Sequence, residues 1–163
     1  MGRVVYTGGT FDLFHYGHVN FLHQCWKISY SEGYRVVVAL NTDTFIEEFK
    51  GYKPLFTYEE RKIMLESCRW VTEVVPNTGG ADSKQVIEKV NPDFIVIGSD
   101  WAKKDYYAQM GFTQKWLDDK GITLIYVPYT EGISTTDLKK RLYNYYGPAN
   151  KTSTNRDILP KTQ

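Results

Sequence analysis

Short β-branched apolar runs alternate with longer amphipathic stretches along this chain, and that alternation restricts the fold more than any other feature. Val4 to Thr7, Arg35 to Leu40, Trp70 to Val75, Phe94 to Ile97 and Thr123 to Val127 read as strands, the third closed by Pro76. Between them, residues 18–31, Thr57 to Cys68, Asp82 to Val90, a stretch near Thr113 to Asp119, and Ser134 to Tyr145 read as helices. Thr57 with Glu60 three residues on forms a capping-box pattern. Strands that are apolar throughout and separated by helices predict a parallel sheet covered on both faces. Right-handed crossovers make it a doubly wound, Rossmann-like α/β domain of five parallel strands. Ligands of such sheets sit beyond the carboxyl ends of the strands. That rule directs attention to residues 7–18, 41–53, 98–105 and 128–136.

Composition narrows the partners. The 163 residues carry 20 Lys and Arg against 19 Asp and Glu, so no overall field favours nucleic acid or an anionic membrane. A hydrophobic share of 42% suits one folded domain, expected over residues 1–146. Residues 147–163 are polar and weakly patterned, and a loose C-terminal tail is expected there. No run approaches the ~18 consecutive apolar residues of a membrane span, and the start of the chain passes straight into a strand. A cytoplasmic protein is the expectation. Cys25 and Cys68 stand far apart with no CxxC, as buried free thiols do.

The end of the first strand holds the densest information. Gly8-Gly9-Thr10-Phe11-Asp12-Leu13-Phe14-His15-Tyr16-Gly17-His18 runs from strand to helix. The glycines let another group approach the backbone, and the opening of the helix offers N–H groups and a positive dipole to phosphate. His15 and His18, two of only three histidines, lie three apart and so share one side of the first helical turn. Imidazoles beside a phosphate site can donate hydrogen bonds to oxygens that gain charge in phosphoryl transfer. Two plainer readings stand beside this one. The pair can be packed or capping histidines, or it can hold a metal. The metal reading needs a third ligand, and His23 faces elsewhere on the helix; no protein metal site is expected.

These residues carry a family resemblance. Gly9 to His18 resembles the G-T-F-D-x-x-H-x-G-H signature of the nucleotidyltransferases, the cytidylyltransferases in particular. Thr130-Glu131-Gly132-Ile133-Ser134-Thr135-Thr136 is similar to their R-T-E-G-I-S-T-T run at the start of the last helix. Gly98-Ser99-Asp100-Trp101 and Tyr58-Glu59-Glu60-Arg61-Lys62 place the likeness nearest the glycerol-3-phosphate type. The resemblance implies transfer of CMP from CTP to a small phosphorylated alcohol, with Mg²⁺ assisting, in an enzyme that is commonly a homodimer.

It also implies roles. His15 and His18 would contact the triphosphate and stabilise the transition state, while Gly8, Gly9, Thr10, Phe11 and Gly17 would line the nucleotide site. Asp12 would anchor the turn or touch substrate. Lys50 and Lys53 would close a basic loop on the substrate phosphates, and Arg69 would contact the acceptor phosphate. Asp100 and Trp101 would line the base or ribose pocket. Thr130, Gly132 and Ile133 would bind the nucleotide, and Ser134 and Thr135 would face its β- and γ-phosphates, with Ser134 and Asp137 also imitating a capping box. One position departs from the pattern: Tyr129 stands where the signature has Arg. A phenol does not replace a guanidinium as a phosphate clamp, so another cation must serve; Arg3, Arg61 and Lys103-Lys104 are the candidates. The rival readings are an adenylyltransferase of the same fold and a nucleotide-binding module without turnover.

Overall fold

The computed structural model describes residues 2–30, 33–78, 83–100 and 106–147. The expected tail after Gly147, Trp101 and Lys103-Lys104 lie outside them. Five parallel strands, β1 (Val4–Gly9), β2 (Arg35–Asn41), β3 (Glu73–Asn77), β4 (Phe94–Gly98) and β5 (Thr123–Val127), form one sheet in the order β3-β2-β1-β4-β5. The order reverses at β1, which places the switch point between β1 and β4. Among the described residues seven α-helices connect or follow the strands: α1 (Tyr16–Ser29), α2 (Asp43–Lys50), α3 (Tyr58–Glu66), α4 (Lys84–Val90), α5 (Tyr106–Met110), α6 (Gln114–Lys120) and α7 (Thr135–Tyr146). The Rossmann-like α/β architecture expected from the alternation is present.

Side-chain alternation along the strands explains how the sheet is covered. Tyr6, Ala39, Ile95 and Ile97 turn to one face and pack with Ile87 of α4, Met110 of α5 and Leu117 of α6. Val5, Val36 and Val96 turn to the other and meet Cys25 of α1, while Val38 and Leu40 meet Leu22 of α1 and Leu65 of α3. The strands are therefore apolar on both sides, as parallel strands must be when helices bury both faces.

Several element boundaries differ from the sequence expectation. The first helix begins at Tyr16, because His15 is its N-cap. Residues 42–51, read as loop, contain α2: Thr42 caps it by accepting from the Phe45 amide at 3.2 Å, and Gly51 ends it in the left-handed region at φ 74°. The third strand starts at Glu73 and runs through Pro76 to Asn77. Trp70 instead turns onto α1, its ring 4.3 Å from His23 and 4.8 Å from Trp26. Pro76 is tolerated because β3 is an edge strand, with one side free of ladder bonds. The Thr57–Glu60 capping box is present, with Thr57 N–H donating to Glu60 Oε2 at 2.8 Å.

Arg61 of α3 ties the carboxyl ends of the central strands together. It is 1% exposed. Its guanidinium donates to the carbonyls of Thr10 (2.7 Å), Asn41 (2.9 Å) and Phe56 (3.0 Å), and to Asp43 Oδ1 at 2.6 Å. This corrects its candidacy as a phosphate clamp: the buried guanidinium is committed to the chain itself through all three of its nitrogens. Replacing Arg61 by Leu leaves three carbonyls and the Asp43 carboxylate without this partner. The expected loss is about 3 kcal/mol or more of unfolding free energy, read by urea denaturation against the native protein.

Candidate active site

A cleft of about 620 Å³ opens across the carboxyl edge of the sheet. It begins at the turn after β1. Phe11 and Leu13 hold φ of 50° and 49°, values that bulky residues adopt only when the surroundings enforce them. Asp12, 5% exposed, does the enforcing. Its Oδ1 accepts from the Leu13 amide at 3.1 Å and the Phe56 amide at 3.0 Å, and its Oδ2 accepts from the Leu55 amide at 2.9 Å. The Thr135 hydroxyl donates to the Asp12 carbonyl at 2.9 Å, fastening the start of α7 to the same turn. Two glycines are required by close approach here. A Cβ on Gly9 would lie 2.9 Å from the Phe11 ring, and one on Gly17 would lie 2.9 Å from His15 and 3.0 Å from Ile133.

His15 and His18 cap α1 reciprocally. The Gly17 amide donates to His15 Nδ1 at 3.1 Å, and the His15 amide donates to His18 Nδ1 at 3.2 Å. The rings stack at 3.8 Å between centroids, and Phe11 and Phe14 flank His18 at 5.2 and 5.5 Å. Because each Nδ1 accepts a backbone hydrogen bond, each neutral ring carries its proton on Nε2. Burial lowers the pKa of both; that of His18 is pushed down to about 3, first by burial and then by His15, against a smaller opposing pull from Asp12. Two neutral imidazoles with Nε2–H donors therefore stand at the cleft wall. The capping reading of the pair is what the geometry shows, and it leaves the Nε2 edge of each ring outside the cap.

Most residues singled out in the sequence converge here. Gly8, Gly9, Thr10, Phe11, Asp12, His15, Gly17, His18, Lys50, Asp100, Thr130, Ile133, Ser134 and Thr135 line the cleft. Lys50 Nζ lies 3.5 Å from the Thr10 hydroxyl. Ser134 caps α7, its Oγ accepting from the Asp137 amide at 3.0 Å and donating to the Asp137 carboxylate at 2.7 Å. Gly132 supplies the approach to that cap at φ 79°.

Lys53 and Arg69 are not brought to the cleft. Lys53 is exposed beyond α2 and pairs with Glu47 at 3.6 Å. Arg69 follows α3 and stacks over Trp70 at 4.8 Å. The next residues return to the amino end of β2, where Thr72 N–H donates to the Val36 carbonyl. The run of β2 from Val36 to Asn41 spans roughly 16 Å, so Arg69 sits at the opposite edge of the sheet from the site of its own chain.

Sequence reading missed Lys139, Asn41 and Asn77 among the lining residues. Lys139 follows Thr135 by four residues, one helical turn on the same face, and this spacing was its signal. Asn77 was hidden by the assumption that Pro76 ends the strand. It is 3% exposed; its Nδ2 donates to Asn41 Oδ1 at 2.8 Å, and its Oδ1 has no partner among the described residues.

Comparison with known proteins shows the family. A cytidylyltransferase-like family model matches residues 6–141. The chain belongs to the cytidylyltransferase-like family. It is 41% identical over 143 residues to a glycerol-3-phosphate cytidylyltransferase of Staphylococcus aureus, covering 88% of this chain and 96% of that protein. It is 38% identical to the Bacillus subtilis enzyme of the same name, covering 86% and 97%. An ethanolamine-phosphate cytidylyltransferase of Mus musculus is 34% identical over 142 residues, 85% of this chain and 32% of the mouse protein. The lipopolysaccharide core biosynthesis protein of Thermoplasma volcanium has a similar solved structure, with a TM-score of 0.62 and 25% identity over 80% of this chain and 98% of the other. The chain is a nucleotidyltransferase enzyme. No helix among the described residues is long and apolar enough to cross a membrane.

The histidine environment has a consequence for stability. The folded pKa of His18, about 3, lies below the ordinary 6.5. The unfolded chain therefore binds a proton that the folded chain refuses, and the stabilising contribution is present above pH ~6.5 and lost as pH falls toward the folded value. Urea midpoints measured at pH 7.5 and pH 4.5 should fall in acid, and the gap between them should narrow in His18→Asn.

Proposed function

We propose that this enzyme transfers CMP from CTP to a small phosphorylated alcohol, glycerol 3-phosphate or a related polyol or amino-alcohol phosphate. An acceptor phosphate oxygen attacks the α-phosphorus of CTP. The new O–Pα bond forms as the bond from Pα to the bridging oxygen breaks, and pyrophosphate leaves with the electron pair. The observation that carries this reading is the pair of neutral imidazoles, each with Nδ1 committed to backbone and Nε2–H left to donate. Negative charge accumulates on the oxygens around Pα and on the departing pyrophosphate, and fixed donors aimed there stabilise the transition state more than the ground state.

The other lining residues fit the two substrates. The amides opening α7 favour the β- and γ-phosphates, and Lys50 beside Thr10 suits an acceptor phosphate brought toward Pα. Asn77, with a buried oxygen that lacks a partner among the described residues, offers a hydrogen bond to an acceptor hydroxyl. Mg²⁺ fits this site as a phosphate-held ion. Among the described residues no group of three or more His, Cys, Asp or Glu forms a protein cage, and such an ion needs few protein ligands when phosphates supply oxygens. Asp100 would supply its carboxylate, since Asp12 is already saturated by amides. The ion would neutralise charge on the triphosphate. The 38–41% identity to two glycerol-3-phosphate cytidylyltransferases supports CTP and this acceptor class, and the homodimer that the family resemblance implies is part of the same proposal. The balanced charge of the chain supports a small-molecule rather than nucleic-acid substrate.

Pyrophosphate release across CTP, ATP, GTP and UTP, with phosphorylated alcohols and amines as acceptors, tests the reading. Release with CTP and one acceptor is expected; release with ATP alone would overturn the cytidylyl assignment. His18→Ala should lower kcat by ~10²-fold or more while CTP affinity changes little, because the contact acts on the chemical step. Loss of CTP binding with an unchanged saturated rate would contradict that role.

A further inference from the structure

The proposed reaction gathers two polyanions in one cleft, and the position where the family signature carries Arg holds Tyr129. Tyr129 does not supply the missing charge. Its hydroxyl donates toward the Ile133 carbonyl at 3.4 Å, and burial, with Asp100 and Asp137 nearby, raises its pKa and keeps the phenol neutral. Lys50 aside, the described cations named by the sequence, and Arg141 near the cleft mouth, are committed elsewhere. Arg61 is buried among four acceptors. Arg3 lies against the Phe94 ring at 5.3 Å, beside the amino end of β1. Arg141 donates to the Gly132 carbonyl at 3.1 Å. Lys53 and Arg69 lie outside the cleft. Among the described residues, two cationic side chains line it: Lys50 from α2 and Lys139 from α7.

Resting on the CMP-transfer reading, we infer that Lys139 binds the triphosphate and takes over the charge-neutralising role that Arg would have at position 129. The geometry favours it over a plain surface lysine. Thr135, one turn earlier on the same face, is bonded to the Asp12 carbonyl, so Lys139 is carried to the strand-one turn that holds the histidines. Its Nζ lies 3.9 Å from Asp12 Oδ2, beyond hydrogen-bond reach, and 5.3 Å from the centre of the Tyr52 ring. Asp12 already accepts three amides, so its charge is largely satisfied without the lysine. The side chain is 45% exposed and its stem is flexible. Phosphate oxygens placed against the α7 amides therefore come within its reach, and a charge-assisted bond replaces a weak ion pair.

The test uses the full chain. Lys139→Gln should lower kcat/KM for CTP by about 10- to 100-fold, the scale of a lost charge-assisted bond, and weaken inorganic pyrophosphate binding, read by calorimetry, by a similar factor. Lys139→Arg should stay within about threefold of the native protein, and Tyr129→Arg added to Lys139→Gln should recover most of the loss, since each restores a cation. Lys140→Gln, on the exposed side of α7, is the control and should change neither quantity. Thermal unfolding separates a folding defect from a binding one. A Lys139→Gln protein that keeps native turnover and pyrophosphate affinity overturns this inference and leaves CMP transfer standing. No turnover by the native protein with any nucleotide and acceptor overturns CMP transfer itself. In that case unchanged pyrophosphate affinity in Lys139→Gln still rejects the lysine, whereas weakened affinity keeps it as a phosphate ligand.

Discussion

The first turn of α1 is capped by the two imidazoles it presents to the cleft, and the rest of the site depends on that exchange. A Ser or Asp cap would satisfy the helix terminus equally well. Histidines do so and also commit Nδ1 of both rings to backbone amides. The helix terminus thereby selects the tautomer, and burial selects the charge state. The same bonds close the helix terminus and, in the proposed reaction, orient the two donors; Gly17, pressed between His15 and Ile133, leaves no room for a side chain.

Holding those rings in place requires a turn that the backbone does not favour. Phe11 and Leu13 sit at positive φ, at a cost on the order of 1–3 kcal/mol each. Asp12 offsets this by joining its own turn to the amides of residues 55 and 56. Arg61 joins the same turn to the ends of β2 and α2 through Asn41 and Asp43, and Thr135 joins it to α7. Segments far apart in the chain thus meet at Thr10–Asp12, at the point where the strand order reverses. The bonds of Asp12 and Arg61 are made to the chain itself and fix the position of this turn.

The sheet and most of the site were legible in the sequence because they rest on local signals. Apolar β-branched runs marked all five strands, and the Gly8–His18 and Thr130–Thr136 motifs sit at strand ends that the topology brings together. Other features depend on long-range context. Pro76 looked like a strand end because only the sheet order shows that β3 is an edge. The α2 signals, Thr42 and Gly51, were present but overshadowed by the basic residues around them. Arg61 resembled an available cation until its carbonyl partners were in place, and Arg69 was assigned to an acceptor phosphate although its own sheet carries it to the far edge. Lys139 lay one turn beyond a recognised motif, and its relation to Asp12 is visible only in three dimensions.

The central claim is that backbone hydrogen bonds hold His15 and His18 as neutral Nε2–H donors. Long-range ¹H–¹⁵N correlation spectra of the histidine rings at pH 7.5 test it directly. The account predicts that both rings are neutral, with Nε2 protonated and Nδ1 an acceptor, and that added CTP perturbs the Nε2 resonances most. Imidazolium signals, or Nδ1-protonated tautomers at either position, would contradict it.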